Sequence, residues 1–207
     1  MSAEEKPTAS LMPTEYTQAE RVEIMLKNII KMLIGRKMLD KEKETETYDK
    51  AIKDSTENIF KITTNDEKNI YIKIMLQVIS SVSKNDILLT FLNNNINFHK
   101  ILLVKSLNSK AEKQIVSNYG ETEVFLEDYF MINLVDHILV PKHELLSDKE
   151  KDEFMQAYDL RKKNIPKISV RDPVSKYYAA KKGDIFRIIR MSETTGYYVT
   201  YRIVGNF

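Results

Sequence analysis

The 207-residue chain contains no cysteine, which excludes disulfides, thiolate nucleophiles and Cys-based zinc sites and fits a reducing compartment. It has only five glycines, and none falls in a G-x-x-x-x-G-K-[ST] or G-x-G-x-x-G loop, so a nucleotide cradle is not expected. No Gly-flanked serine forms a nucleophile elbow. Its three histidines, His99, His137 and His143, lack HExxH spacing, so no metal is expected. No cofactor or small-molecule substrate is expected either. Long apolar runs are also missing. The stretch from Val22 to Ile34 is broken by Lys27 and Lys31, short of the ~20 apolar residues that span a bilayer. The opening MSAEEKPTAS is polar and acidic, unlike a secretory signal, and no membrane partner is expected.

What is present suits one domain or two small ones: apolar residues make up 43% and charged residues 30%. The net charge of +2 hides an asymmetry. From Leu160 onward eleven Lys or Arg face three acids, a net +8 that leaves −6 for the rest. Such a basic end implies either an acidic partner, protein or nucleic acid, or a solvated lysine-rich face.

Residues 1–16, with Pro7 and Pro13, are read as a flexible tail. Thr17-Gln-Ala-Glu20 is a capping box, and Val22, Met25, Leu26, Ile29, Ile30 and Leu33 predict a helix to about Met38. Residues 41–57 are read as a loop or a second helix around Tyr48 and Ile52. Short strands are expected at Ile59–Thr63 and Ile70–Ile74, a helix from Asn85 through Leu92, and a buried strand in His99–Lys105 (HKILLVK). Ser109-Lys-Ala-Glu112 is read as a second capping box for a helix ending near Gly120. A strand is expected at Thr122–Leu126. The alternation predicts a small α/β layer domain over 17–136. Pro141-Lys142-His143 is read as a hinge, and Ser147-Asp-Lys-Glu150 as a third capping box.

The densest ordering signals lie between Asp172 and Val204. Asp172-Pro173 is a helix start, with Asp as cap and Pro at the first position. Val174 and Tyr177 or Tyr178 can face a core, and Gly183 permits a reversal with positive φ. In the next strand Phe186 and Ile188 share one face, and Ile185, Arg187 and Ile189 the other. In the last, Tyr197, Val199, Tyr201 and Ile203 are expected to cover the core. The segment carries no catalytic group, and none is assigned. A domain at 137–207, a small mixed β-sheet with short helices, completes a chain of α+β or α/β class.

Asp172-Pro173-Val174, Tyr177-Tyr178, Lys181-Lys182-Gly183, Ile188-Ile189-Arg190, Ser192-Glu193-Thr194, Gly196 and Tyr198-Val199-Thr200-Tyr201-Arg202 together resemble the signature of a family. It is the fifth common subunit of eukaryotic RNA polymerases I, II and III, whose C-terminal domain matches a small component of archaeal RNA polymerase. The resemblance extends upstream through Leu139-Val-Pro141-Lys-His143, Leu160-Arg161 and Ile165-Pro166-Lys-Ile168, and reaches the N-terminal region in layout. It implies a non-catalytic subunit: the C-terminal domain anchors on the largest polymerase subunit, and the N-terminal domain forms part of the lower jaw near downstream DNA. The implied anchoring surface is Pro173, Tyr177, Gly183, Arg190, Ser192, Glu193, Thr194 and Arg202. The sequence departs from the family at Met191, where proline is common, and at Ala179-Ala180, where glycine is frequent.

Two alternatives stand beside it. One is a stand-alone DNA-binding protein using the basic end. The other is a nuclease, because the family's jaw domain resembles a restriction-endonuclease-like layer. HKILLVK has lysine but no acid, and Glu121, Glu123 and Glu127 are spaced along a different strand. Abundant Lys, Ile and Asn suggest an AT-rich genome, either eukaryotic or that of a large DNA virus, the latter preferred. The location would accordingly be the nucleus, or the viral factory or virion.

Overall fold

The computed structural model describes residues 16–158, 164–192 and 196–205. Helix α1, Gln18–Gly35, starts at the expected Thr17–Glu20 capping box. It stops at Gly35, three residues short of the sequence expectation. There the chain closes a Schellman motif: Lys37 N–H reaches the Ile34 carbonyl and Met38 N–H that of Leu33. Lys37, at φ 60°, takes the left-handed place usually given to glycine.

A 3₁₀ turn, Lys41–Lys43, and helix α2, Glu44–Lys53, follow. The first sheet then forms from β1 (Ile59–Thr63), β2 (Asn69–Ile79), β3 (His99–Leu107) and β4 (Thr122–Leu126), in that order. β1 runs antiparallel to β2, while β2, β3 and β4 are parallel. Parallel strands need crossovers, and helices α3 (Asp86–Asn94) and α4 (Ser109–Asn118) supply them.

β3 is apolar on both faces because both are covered. Ile101 and Leu103 join the core under α1, whereas Leu102 and Val104 join the core under α3 and α4. α4 corrects the sequence reading: its cap is Asn108, whose side chain accepts from Lys110 N–H, and Ser109 is already inside the helix. Glu112 is therefore not part of a capping box.

Helix α5, Asp128–Met131, and a 3₁₀ turn, Leu134–Asp136, lead to the second sheet. Its strands are β5 (Lys142–Leu145), β6 (Lys167–Ser169), β7 (Ile185–Ser192) and β8 (Gly196–Gly205), in the order β5-β7-β8-β6. Lys142 and His143, expected in a hinge, instead pair with Ile189 and Ile188. Helix α6, Asp148–Ala157, begins at the expected Ser147–Glu150 capping box, and α7, Pro173–Tyr177, at Asp172 with Pro173 in its first position.

Each face of this sheet has its own small core. Ile185, Tyr201 and Ile203 pack with Phe154 of α6, whose ring stacks on Tyr201 at 4.1 Å. Phe186, Ile188 and Val204 pack on the opposite face with Ala180 and Tyr178. Only half of the expected β8 core set is covered: Tyr197 and Val199 are exposed, because the β7–β8 hairpin runs beyond the reach of α6.

Both departures from the family pattern have a local physical account. Ala179 sits at φ 50°, where glycine is free of the Cβ clash. At Met191 the register points the N–H away from β8, towards the side where β5 has already ended. A proline or a methionine there leaves the ladder equally intact. Ala179→Gly should accordingly raise unfolding free energy by roughly 0.5–1 kcal/mol in urea titration, the relief of strain outweighing the extra freedom of the unfolded chain.

Candidate partner-binding surface and the junction between sheets

The residues of the expected anchoring surface divide by environment. Tyr177 is buried, its ring among the core residues of the first sheet. Burial pushes its phenol well above the ordinary tyrosine range, with the neighbouring Tyr178 adding to the effect. Pro173 starts α7, and Gly183, at φ 97°, donates its N–H to the Val204 carbonyl. These three shape the scaffold. Arg190 and Arg202 lie on β7 and β8 and point to the same face as His143 and Thr200. Neither arginine has an ion pair or hydrogen bond among the described residues. Burial holds His143 below the usual imidazole range, and the charges of Arg190 and Arg202 add to that depression. Ser192 ends β7 opposite Gly196. Glu193 and Thr194 lie outside the described residues.

The hairpin end is also apolar. Met191 is 87% exposed, Tyr197 70% and Tyr198 58%. Ile138 and Leu139, 93% and 82% exposed, immediately precede β5, which enters the sheet at the Ile189 end. Register thus brings exposed apolar side chains and an arginine to one end of one sheet. Exposed apolar groups concentrated in this way mark interaction surfaces.

Of the groups considered for a nuclease, Glu123, Glu127 and Lys100 have structural partners instead, while Glu121 is exposed. The Lys100 amine is fully buried and donates to the carbonyls of Asn95 (2.9 Å), Ile96 (3.3 Å) and Phe98 (2.8 Å), closing the end of α3. Burial lowers its pKa. Glu127 is buried and pairs with Arg21 of α1. No group of three His, Asp or Glu suited to a metal occurs among the described residues.

The strongest electrostatic feature was missed in the sequence. Arg36, aimed by the Schellman turn, has a side chain only 4% exposed. Its Nη1 and Nη2 each donate to Glu123 of β4 at 2.7 Å. Nε and Nη2 also donate to the carbonyls of Tyr177 (2.7 Å) and Lys176 (2.8 Å) at the end of α7. His99 Nε2 lies 2.8 Å from Glu123 Oε1. Lys176 Nζ in turn meets Glu112 of α4 at 3.0 Å. Gly35 to Met38, His99 and Glu123 line one wall of a cleft of about 770 Å³, with Lys142 to Ser147 on the other. No local pattern announces this cluster, because Arg36 and Glu123 are 87 positions apart.

Comparison with known proteins bears on the same segments. Over 96% of its length the chain is 29% identical to DNA-directed RNA polymerase subunit 5 of Acanthamoeba polyphaga mimivirus, covering 99% of that protein. Over half of its length it is 36% identical to subunit RPABC1 of DNA-directed RNA polymerases I, II and III from Caenorhabditis elegans, covering 51% of it. The Dictyostelium discoideum counterpart is 35% identical, over 50% of this chain and 55% of its own. These homologues indicate a subunit of a DNA-directed RNA polymerase. Residues 132–204 match the family model "RNA polymerase Rpb5, C-terminal domain". No described helix is long and apolar enough to cross a membrane.

Glu123 sets an acid limit on the junction. Burial alone would raise its pKa, but the bonds from His99 and Arg36, with the Arg36 charge, hold it at about 2. The ionised form therefore contributes stability that is complete above the usual carboxylate range and is lost as pH falls from about 4.5 towards 2, up to about 3 kcal/mol. Urea titrations between pH 5 and pH 2 should show this loss in the native chain and a markedly flatter profile in Glu123→Gln.

Proposed function

We propose that this chain is a non-catalytic subunit of a DNA-directed RNA polymerase that anchors on the largest subunit through the projecting end of its second sheet. The observation that carries the reading is the concentration there of Met191, Tyr197 and Tyr198 with the unpaired Arg190, inside the segment matched by the family model. An apolar patch with an arginine, desolvated on docking, is a typical centre for a specific protein interface.

Arg190, Arg202 and Ser192, with Glu193 and Thr194 between the strands in sequence, form the proposed contact. Pro173, Tyr177 and Gly183 hold the sheet behind it. The first sheet then serves as part of the lower jaw near downstream DNA. The full-length similarity to a mimivirus subunit favours a viral polymerase, hence a viral factory or virion over a nucleus.

Co-expression of the full chain with the largest subunit of its polymerase tests the reading. Arg190→Glu and Arg202→Glu should each cut co-purification by about tenfold or more, the cost of a charge of the wrong sign at a desolvated contact. Lys113→Glu, on the exposed side of α4, should leave it unchanged. Retained co-purification in both arginine variants would remove this surface as the anchor. A salt-sensitive shift of linear DNA by the free chain would favour DNA binding instead, and Mg²⁺-dependent cleavage a nuclease.

A further inference from the structure

We infer that Arg36 is a strut that fixes the attitude of the first sheet relative to the second, making the two a single lever. The chain passes between the sheets only through residues 132–141 among the described elements. A single covalent crossing leaves relative motion as the default unless noncovalent contacts remove it. Here the contacts come from Arg36 and from α7.

A guanidinium is planar and offers five donors in fixed directions. Arg36 uses this shape in two directions at once. One edge forms the paired bonds to Glu123, which belongs to the first sheet. The remaining donors take the carbonyls of Lys176 and Tyr177, which end the helix beneath the second sheet. Carbonyls at a helix end have no partner inside the helix; the Lys176 carbonyl also accepts from Ala179 N–H, and the strut supplies the Tyr177 carbonyl with a donor. Because each bond restricts a different axis, the set opposes rotation as well as separation.

Two further contacts act beside it. The Tyr177 ring is sunk among residues of the first core, including those of α1, and an ideal Cβ on Gly35 would lie 3.5 Å from its edge. Lys176 and Glu112 form a half-exposed pair on the far side of α7. Across the cleft, the Glu150 carboxyl is held below its ordinary range mainly by its capping bonds with Ser147, with Arg187 and then Lys37 of the first wall adding to the effect. The burial of Arg36 matters most. Removing either member of a buried pair leaves an uncompensated charge, so the junction is held closed or fails as a unit.

The consequence for assembly is directional. Whatever captures the hairpin end of the second sheet also aims the first sheet, with no contact to it. This inference does not depend on the proposed partner, because it concerns the free chain.

The absence of cysteine makes a direct test simple. Lys61→Cys on β1 and Lys149→Cys on α6, both at exposed positions, take spin labels for electron–electron distance measurement without background. The full-length doubly labelled chain should give one narrow distance distribution. Arg36→Lys retains the charge but loses the fork, and should broaden that distribution about twofold or split it, with the circular dichroism spectrum retained. Glu123→Gln, nearly isosteric and uncharged, and Lys176→Ala read the same distance should Arg36→Lys prove unable to fold. A broad distribution in the parent chain, or an unchanged width in every folded variant, would overturn the proposal.

Discussion

Arg36 is the point on which the arrangement of the two sheets depends. Its position follows from a helix end rather than from a binding motif. The Schellman turn after α1 places Lys37 in a left-handed conformation and swings Arg36 across to Glu123 and to the end of α7. A buried guanidinium is costly unless its charge is paired and its donors largely used. Here four bonds and an ionised carboxylate compensate it. Glu123 is answered in turn by His99, so the cluster is closed on itself and leaves little chemistry to offer a substrate.

The cluster also clarifies why the same chain looks reactive in one place and adhesive in another. Charged groups near the strand ends of the first sheet, Lys100 and Glu123 at amino ends and Glu127 just past the carboxyl end of β4, are engaged in holding elements together. Lys100 closes the end of α3, Glu127 meets Arg21, and Glu123 meets Arg36. Arg190 and Arg202, without internal partners among the described residues, lie on the second sheet. The exposed Met191 and Tyr197 occupy the other face of its hairpin. Structural polar groups at the centre and an adhesive far end are what an assembly subunit requires, and the relatives are polymerase subunits.

Much of the fold was legible because its signals were local. The capping boxes at Thr17 and Ser147, the Asp172-Pro173 start, the turn at Gly183, the four strands of the first sheet and the β7–β8 pair follow from short-range pattern and register, whereas β5 was read as a hinge and β6 was not anticipated. The errors are equally instructive. Ser109 matched a capping box by spacing, but the helix starts one residue earlier, capped by Asn108, and Glu112 pairs with Lys176. Alternation in β8 marked Tyr197 and Val199 as core, yet alternation says only that residues share a face, not that anything covers it. The arginine surface was reached through family resemblance. The Arg36–Glu123 junction was not legible at all, since Arg36 and Glu123 are 87 positions apart and the α7 carbonyls that complete it lie further on again.

If that junction makes the sheets one body, they should also unfold as one. Differential scanning calorimetry of the full chain at neutral pH provides the most direct measurement. The account predicts a single transition with calorimetric enthalpy equal to the van't Hoff enthalpy, and separation into two transitions in Glu123→Gln. Two independent transitions in the unaltered chain would contradict it.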